Sequence, residues 1–143
     1  MHATYGLIGY PLGHSFSKGY FTHFFEENRI DAEYKNFELP SIEELTTVLR
    51  EEPALRGFNV TIPYKQQIIP YLDSLSAEAR NIGAVNCVKI EADGRLTGYN
   101  TDIDGIRLSL DKLLGGVEID AALILGTGGA SQAVQYVLAE RNI

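Results

Sequence analysis

Short apolar runs alternate along this chain with longer stretches whose apolar residues have helical spacing. The run at 5–9 is compact and continuous, as expected of a buried strand. A loop follows, and then the segment 17–28, in which four aromatic residues share one face at intervals of three and four residues. The pattern therefore predicts a strand, a loop and an amphipathic helix at the start of the chain.

The same alternation continues along the sequence. Further strands are predicted at 32–39, 55–60, 84–90, 95–99 and 121–125. Helices are predicted at 41–51, after Pro63, at 102–114 and at 131–141. Alternating strands and helices predict an α/β fold with a mostly parallel, open sheet. We place a domain boundary at the helix 102–114, so that residues 1–101 form one domain and residues 102–143 begin a second.

Composition and charge exclude several classes of partner. The formal net charge of −7 argues against nucleic acid, because neutralising phosphates requires clustered lysine and arginine. No apolar run approaches the ~20 residues of a membrane-spanning helix, and the first residues lack the pattern of a signal peptide. A single cysteine, Cys87, excludes an internal disulfide and is typical of a reducing compartment. We therefore expect a cytoplasmic protein that binds neither nucleic acid nor membrane.

A glycine-rich turn follows the apolar run at 121–125. It consists of Gly126, Thr127, Gly128, Gly129, Ala130 and Ser131. The first glycine suits a tight turn, the second lets a pyrophosphate approach the backbone, and the following helix offers free N–H groups with a partial positive charge. The alternative is an empty structural turn; the absence of a following lysine and Ser/Thr pair argues against a P-loop. The residue that would read the ribose lies beyond Ile143, so the sequence does not separate NADP from NAD.

Ser15 and Ser17 lie in the loop that enters the first predicted helix. Two hydroxyls spaced by one residue can both bind one carboxylate, and a helix N-terminus favours that negative charge. The alternative is that one serine simply caps the helix. The adjacent His14 fits a hydrogen-bonding loop residue better than a base or a metal ligand.

Asn59, Thr61 and Lys65 surround the end of the predicted strand 55–60. Asn59 and Thr61 point to one side of an extended segment, at the carboxyl end where open α/β sheets bind ligands. Lys65 falls in the first turn of the helix predicted after Pro63, where the helix dipole favours a neutral amine that can move a proton. A solvated surface lysine is the alternative.

Asp102 and Asn86 complete the set of candidate polar residues. Asp102 either caps the helix 102–114 or pairs with Lys65 and accepts a hydrogen bond from a substrate hydroxyl. Asn86 interrupts the apolar strand 84–90, so it either bridges structural elements or binds ligand hydroxyls. The neighbouring Cys87 fits a core residue, because nothing near it in the sequence would activate a nucleophile.

One motif imitates a metal site. Asn100, Asp102, Asp104, Gly105 and Asp111 have the spacing of a calcium-binding loop. The set begins with Asn, ends with Asp instead of Glu, and follows a strand rather than a helix. No metal site is predicted.

Taken together, these motifs resemble those of a known family. The blocks concerned are YGLIGYPLGHSFS (5–17), GFNVTIPYK (57–65), GAVN (83–86), GYNTD (98–102) and GTGGAS (126–131). In order and spacing they are similar to the shikimate dehydrogenases. The resemblance implies an aminoacid-dehydrogenase-like substrate domain followed by the first β-α unit of a Rossmann fold.

The resemblance also implies an activity, the NADP-dependent, reversible reduction of 3-dehydroshikimate to shikimate in aromatic amino-acid biosynthesis. Ser15 and Ser17 would bind the substrate carboxylate, and Asn59, Thr61, Asn86 and Asp102 its ring hydroxyls. Lys65 would be the acid and base, with Asp102 as its partner, and residues 126–131 would contact the cofactor. A shikimate- or quinate-binding module without catalysis, and a dual shikimate and quinate dehydrogenase, are the alternatives.

The family's second half is missing from this sequence, which leads us to expect a truncated chain without measurable activity of its own. The apolar run 121–125 then lacks neighbouring strands. A homodimer that covers this run is therefore expected.

Overall fold

The computed structural model describes residues 2–13 and 15–143, and it arranges six strands of that part of the chain in one sheet. The strands are β1 (Ala3–Gly9), β2 (Ala32–Glu38), β3 (Leu55–Val60), β4 (Ser74–Leu75), β5 (Cys87–Ile90) and β6 (Leu96–Tyr99). Their spatial order is β2-β1-β3-β5-β6-β4. β1 pairs in parallel with β2 and β3, β4 pairs in parallel with β6, and β5 is antiparallel to β3 and β6. The predicted α/β fold with a mostly parallel sheet is confirmed.

Five α-helices connect or follow these strands. They are α1 (Ser17–Glu27), α2 (Leu45–Glu51), α3 (Ala77–Ile82), α4 (Asp102–Leu114) and α5 (Gly129–Glu140), with short 3₁₀ turns at Ile42–Glu44 and Ile69–Tyr71. Local sequence explains several of their ends. The Ser76 hydroxyl caps α3 by accepting from the Ala79 N–H at 3.1 Å, and Gly83 ends that helix with a φ of +72°. Gly115 ends α4 in the same left-handed conformation.

The two faces of the sheet are covered unequally. On one face, Ile8, Phe58 and Val88 lie in the main hydrophobic core together with Leu45 at the start of α2. On the other face, α1 packs over β1 and β2 through Phe21 and Phe25, with Leu7 and Tyr34 beneath it. A third cluster joins α3, α4 and α5 through Ile82, Ile103 and Val137, among others. This cluster seats the helix that follows the glycine turn against the rest of the chain.

The helix predicted after Pro63 does not form. Residues 62–68 make successive turns, which are followed by the 3₁₀ turn at Ile69–Tyr71. In an α-helix the Lys65 carbonyl would accept from the N–H four residues later. Here it accepts instead from the Val85 N–H at 2.7 Å. A hydrogen bond to a distant segment has replaced the helical one, so Lys65 lies in a turn and the argument from the helix dipole is wrong.

The strand predicted at 121–125 does not form either. A strand requires a hydrogen-bonded neighbour, and no described residue pairs with this segment. Leu123 and Leu125 are 86% and 89% exposed. Of the β-α unit expected here, the structure contains the turn and the helix α5. Within the described part of the chain, no helix has the length and apolar character needed to cross a membrane.

Candidate active site

Lys65 and Asp102 form an ion pair at the centre of the candidate site. The Nζ atom of Lys65 donates to Oδ2 of Asp102 at 2.6 Å, and the two side chains are 17% and 27% exposed. Lys65 lies in the turns after β3, and Asp102 is the first residue of α4, where the helix dipole favours a carboxylate. The N-cap position of α4 is Thr101, without a side-chain capping bond. The capping alternative for Asp102 is therefore wrong, and the pairing alternative is observed.

Asn86 bonds this ion pair and the residue before it at the start of α4. Its Nδ2 atom donates to Oδ1 of Asp102 at 2.9 Å and to Oγ1 of Thr101 at 3.0 Å, and its Oδ1 accepts from the Thr101 N–H at 2.8 Å. Asn86 lies one residue before β5 rather than inside it. Both ends of its amide are engaged, so its orientation is fixed by its partners. Lys65, Asp102 and Asn86 thus form one hydrogen-bonded group.

Asn59 extends the site along β3. Its Oδ1 accepts from the Tyr34 hydroxyl at 2.8 Å, and its Nδ2 lies 3.5 Å from the Asn86 carbonyl oxygen. The β3 segment continues directly into Thr61, whose N–H bonds the Ile8 carbonyl at 2.9 Å. Burial raises the pKa of the Tyr34 hydroxyl well above its ordinary value, so this group remains a donor at neutral pH.

The serine segment lines an adjoining cavity of about 610 Å³. Ser15, Ser17 and Thr61 all contribute to its wall. The N-cap residue of α1 is Phe16, without a side-chain capping bond, so the capping alternative for the serines is wrong. The Ser15 Oγ atom is buried and has no hydrogen-bond partner among the described residues. His14, which falls between Gly13 and Ser15, lies outside the described residues.

The glycine turn lines a second adjoining cavity of about 390 Å³. Thr61, Lys65, Gly128, Gly129 and Ala130 contribute to it. The serine cavity and this one share Thr61 and Ile62 in their walls, so the two cavities are neighbours, and Lys65 lines the one at the turn.

Backbone conformation and packing distinguish the members of the turn. Gly126 has a φ of +121°, which favours glycine, and a Cβ at Gly128 would meet open space. A Cβ at Gly129 would lie 2.9 Å from Cβ of Lys65. The Ser131 hydroxyl donates to the Gly128 carbonyl at 2.8 Å, which commits its proton to the backbone. The open side of the turn is therefore formed by backbone around Gly128.

Comparison with known proteins identifies the family of this chain. A family model described as the shikimate dehydrogenase substrate binding domain matches residues 7–88. The chain belongs to the shikimate dehydrogenase family.

Relatives and solved structures agree with that assignment. The NADP(+)-dependent shikimate dehydrogenase of Methanococcus maripaludis is 43% identical over 139 residues, which cover 96% of this chain and 49% of the relative. The crystal structure of shikimate dehydrogenase from Aquifex aeolicus superposes with a TM-score of 0.86 at 41% identity, covering 97% of this chain and 52% of that one. A Thermus thermophilus structure in complex with NADP(H) and shikimate has a TM-score of 0.83 at 36% identity, covering 99% and 53%. The chain thus spans about half the length of the shikimate dehydrogenases that it matches.

Two residues that contact the candidate site, Tyr34 and Thr101, were not predicted from the sequence. Tyr34 belongs to a strand in which buried and exposed residues do not alternate cleanly, so nothing in the local pattern separates its hydroxyl from any other core tyrosine. Thr101 stands between Asn100 and Asp102, and a polar residue directly before a helical carboxylate could have been included.

Cys87, next to Asn86 in the chain, is half-buried. Burial raises the pKa of its thiol, which opposes formation of a nucleophilic thiolate.

Proposed function

We propose that this chain carries the substrate-binding and acid–base half of an NADP-dependent shikimate dehydrogenase, which interconverts 3-dehydroshikimate and shikimate. The observation that carries the proposal is the Lys65–Asp102 pair, whose lysine lines the glycine-turn cavity next to the serine cavity. An amine next to a carboxylate, with room for a polyhydroxylated acid on one side and a dinucleotide on the other, is what such a reaction requires.

Lys65 acts as the acid in the direction of reduction. NADPH, when bound, supplies the hydride that reaches the carbonyl carbon. Lys65 Nζ gives a proton to the carbonyl oxygen, so that a hydroxyl results, and in the reverse direction it takes that proton back. Asp102 holds the amine in place and accepts a hydrogen bond from a neighbouring ring hydroxyl. Asn86 fixes the carboxylate through its bond to Oδ1, which leaves Oδ2 for Lys65.

Ser15 and Ser17 bind the substrate carboxylate. The support for this is the buried Ser15 hydroxyl without a described partner, since a buried polar atom is rarely left unpaired. Asn59, Thr61, Asn86 and Asp102 bind the ring hydroxyls. Thr61 borders both cavities, so the ring would lie between the serine segment and Lys65.

The glycine turn takes the pyrophosphate of NADP. Support comes from the open backbone at Gly128, the positive φ of Gly126 and the twelve-residue helix α5, whose first two residues line the cavity. Ala130 lines this cavity, Thr127 precedes Gly128 in the turn, and Ser131 stiffens the turn through its bond to Gly128. The preference for NADP over NAD follows the relatives' names rather than any residue of this chain.

Three wider features belong to the same proposal. The substrate domain comprises residues 1–101, and α4 begins the linker to the cofactor domain. The exposed apolar residues of 121–125 associate with a second copy. A cytoplasmic location follows the expectation from the single cysteine.

Calorimetric titration of the chain with shikimate tests the proposal. We expect saturable binding that falls about 10-fold in Ser15→Ala, because one hydrogen bond to a charged group is lost. Lys65→Ala should also weaken binding. The matched control is Ser74→Ala, whose exposed hydroxyl contacts Thr97 far from the site and should not matter. Quinate serves as the competing ligand. Absence of shikimate binding, or equal binding by Ser15→Ala, would contradict the assignment.

A further inference from the structure

Tyr34 joins two segments that are proposed to hold the substrate. It lies in the edge strand β2 and is only 4% exposed. Its ring stacks on Phe21 of α1, with centroids 4.7 Å apart and planes at 13°. Its hydroxyl reaches across β1 to Asn59 Oδ1 in β3 at 2.8 Å.

The direction of the Tyr34–Asn59 bond can be deduced from its surroundings. The other end of the Asn59 amide faces the Asn86 carbonyl oxygen at 3.5 Å, and a carbonyl oxygen is only an acceptor. The amide nitrogen must therefore lie on that side and the amide oxygen on the side of Tyr34. Tyr34 must donate, and it keeps its proton because burial raises its pKa. The long contact to Asn86 leaves N–H capacity on Asn59 for a ligand oxygen.

We propose that Tyr34 is a positioning residue, whose hydroxyl fixes the amide of Asn59 with its oxygen toward Tyr34 and its nitrogen available to a ligand. The inference rests on the proposed function, since Asn59 is proposed to bind a ring hydroxyl of the substrate. Tyr34 then decides which atom of the Asn59 amide is presented to the substrate, and so selects a ligand oxygen that accepts a hydrogen bond.

Tyr34→Phe tests this inference because it removes the hydroxyl and keeps the ring that stacks on Phe21. The matched control is Tyr5→Phe, which makes the same change at the residue directly opposite Tyr34 in the β1–β2 register. In the chain without ligand, NMR should show the Asn59 side-chain amide protons shifted and exchanging faster with solvent in Tyr34→Phe, but not in Tyr5→Phe. Calorimetry should show shikimate binding about 10-fold weaker in Tyr34→Phe only.

The effect should disappear when its target is removed. In an Asn59→Ala background, Tyr34→Phe should leave shikimate affinity unchanged, which a general loss of packing would not do. Backbone amide spectra establish that each variant is folded. If Tyr34→Phe is unfolded, the unmodified chain still provides a test: the Tyr34 hydroxyl proton should be protected from exchange and show a nuclear Overhauser effect to the Asn59 amide.

The outcomes separate this inference from the proposed function. If the unmodified chain does not bind shikimate, the proposed function fails and the role of Tyr34 in ligand binding fails with it. If the unmodified chain binds and Tyr34→Phe binds equally well, only the positioning role is overturned. Unchanged Asn59 signals in Tyr34→Phe, or an unprotected Tyr34 hydroxyl, would also overturn it.

Discussion

Lys65 Nζ and Asp102 Oδ2 lie 2.6 Å apart, although 37 residues separate them along the chain. The contact exists because the turns after β3 and the first turn of α4 meet at one end of the sheet. Asn86, just before β5, bonds the other carboxylate oxygen. The pair is part of the folded structure.

Replacing Asp102 should destabilise the chain. Asp102→Asn keeps the acceptor for Asn86 but leaves the half-buried Lys65 without its carboxylate, so we expect a loss of about 1–2 kcal/mol in the free energy of unfolding. The control is Asp104→Asn, two residues on in the same first turn of α4, where the carboxylate is 70% exposed and pairs with Arg107. It should cost less than about 0.5 kcal/mol. Urea unfolding measures both, and equal effects would mean that only the helix dipole matters.

Gly129 and Gly128 should respond differently to alanine. A Cβ at Gly129 would lie 2.9 Å from Cβ of Lys65 and 3.4 Å from that of Ala84, so α5 would have to move away. We expect Gly129→Ala to cost about 1–2 kcal/mol, despite the better helix propensity of alanine. Gly128→Ala meets open space with a φ of −76° and should be nearly neutral. Thermal unfolding distinguishes the two; a stabilised Gly129→Ala would show that α5 does not pack on Lys65.

Stability at alkaline pH should depend on Tyr34. Burial raises the pKa of Tyr34 in the folded chain, whereas in the unfolded chain its pKa is about 10. The unfolded state therefore loses this proton first, and the free energy of unfolding falls as the pH rises above about 10, by up to about 1.4 kcal/mol per pH unit for this group. Tyr34→Phe should flatten that slope between pH 10 and 11. An unchanged slope in urea unfolding would show that Tyr34 does not contribute.

The apolar segment before the glycine turn should drive self-association. Leu123 and Leu125 are almost fully exposed, so we expect sedimentation to detect a dimer whose population rises with concentration. Replacing both leucines by glutamate should give a monomer. Leu113→Glu, at an exposed leucine in α4 that is 79% accessible, should leave the dimer intact. A monomer at all concentrations would contradict this prediction.

The chain by itself should not reduce NADP measurably in the presence of shikimate. Residues 126–131 are the only part of the chain proposed to contact the dinucleotide, which is too little to hold a nicotinamide against Lys65. Absorbance at the NADPH band is the measurement. A robust rate that disappears in Lys65→Ala would show that the 143 residues suffice.

Local sequence patterns determined much of this protein. The spacing of apolar residues located α1 and the central strands, because side chains on the same face recur every 3.6 residues in a helix and every two residues in a strand. The motifs around Ser15, Asn59, Lys65 and Asp102 identified the family before any geometry was known. These properties depend on residues close together in the chain, which is why the sequence alone reveals them.

Tertiary structure decided the rest, because hydrogen-bond partners come from distant segments. The Lys65 carbonyl bonds the Val85 N–H, and this contact turned a predicted helix into a series of turns. The segment 121–125 does not form a strand, since a strand requires hydrogen bonds to a neighbouring strand. Asp102 became the partner of Lys65 rather than a helix cap, and Tyr34 met Asn59 across β1. Each choice was open in the sequence because both alternatives satisfy the same local chemistry, and only the packing of the sheet brings one partner within reach.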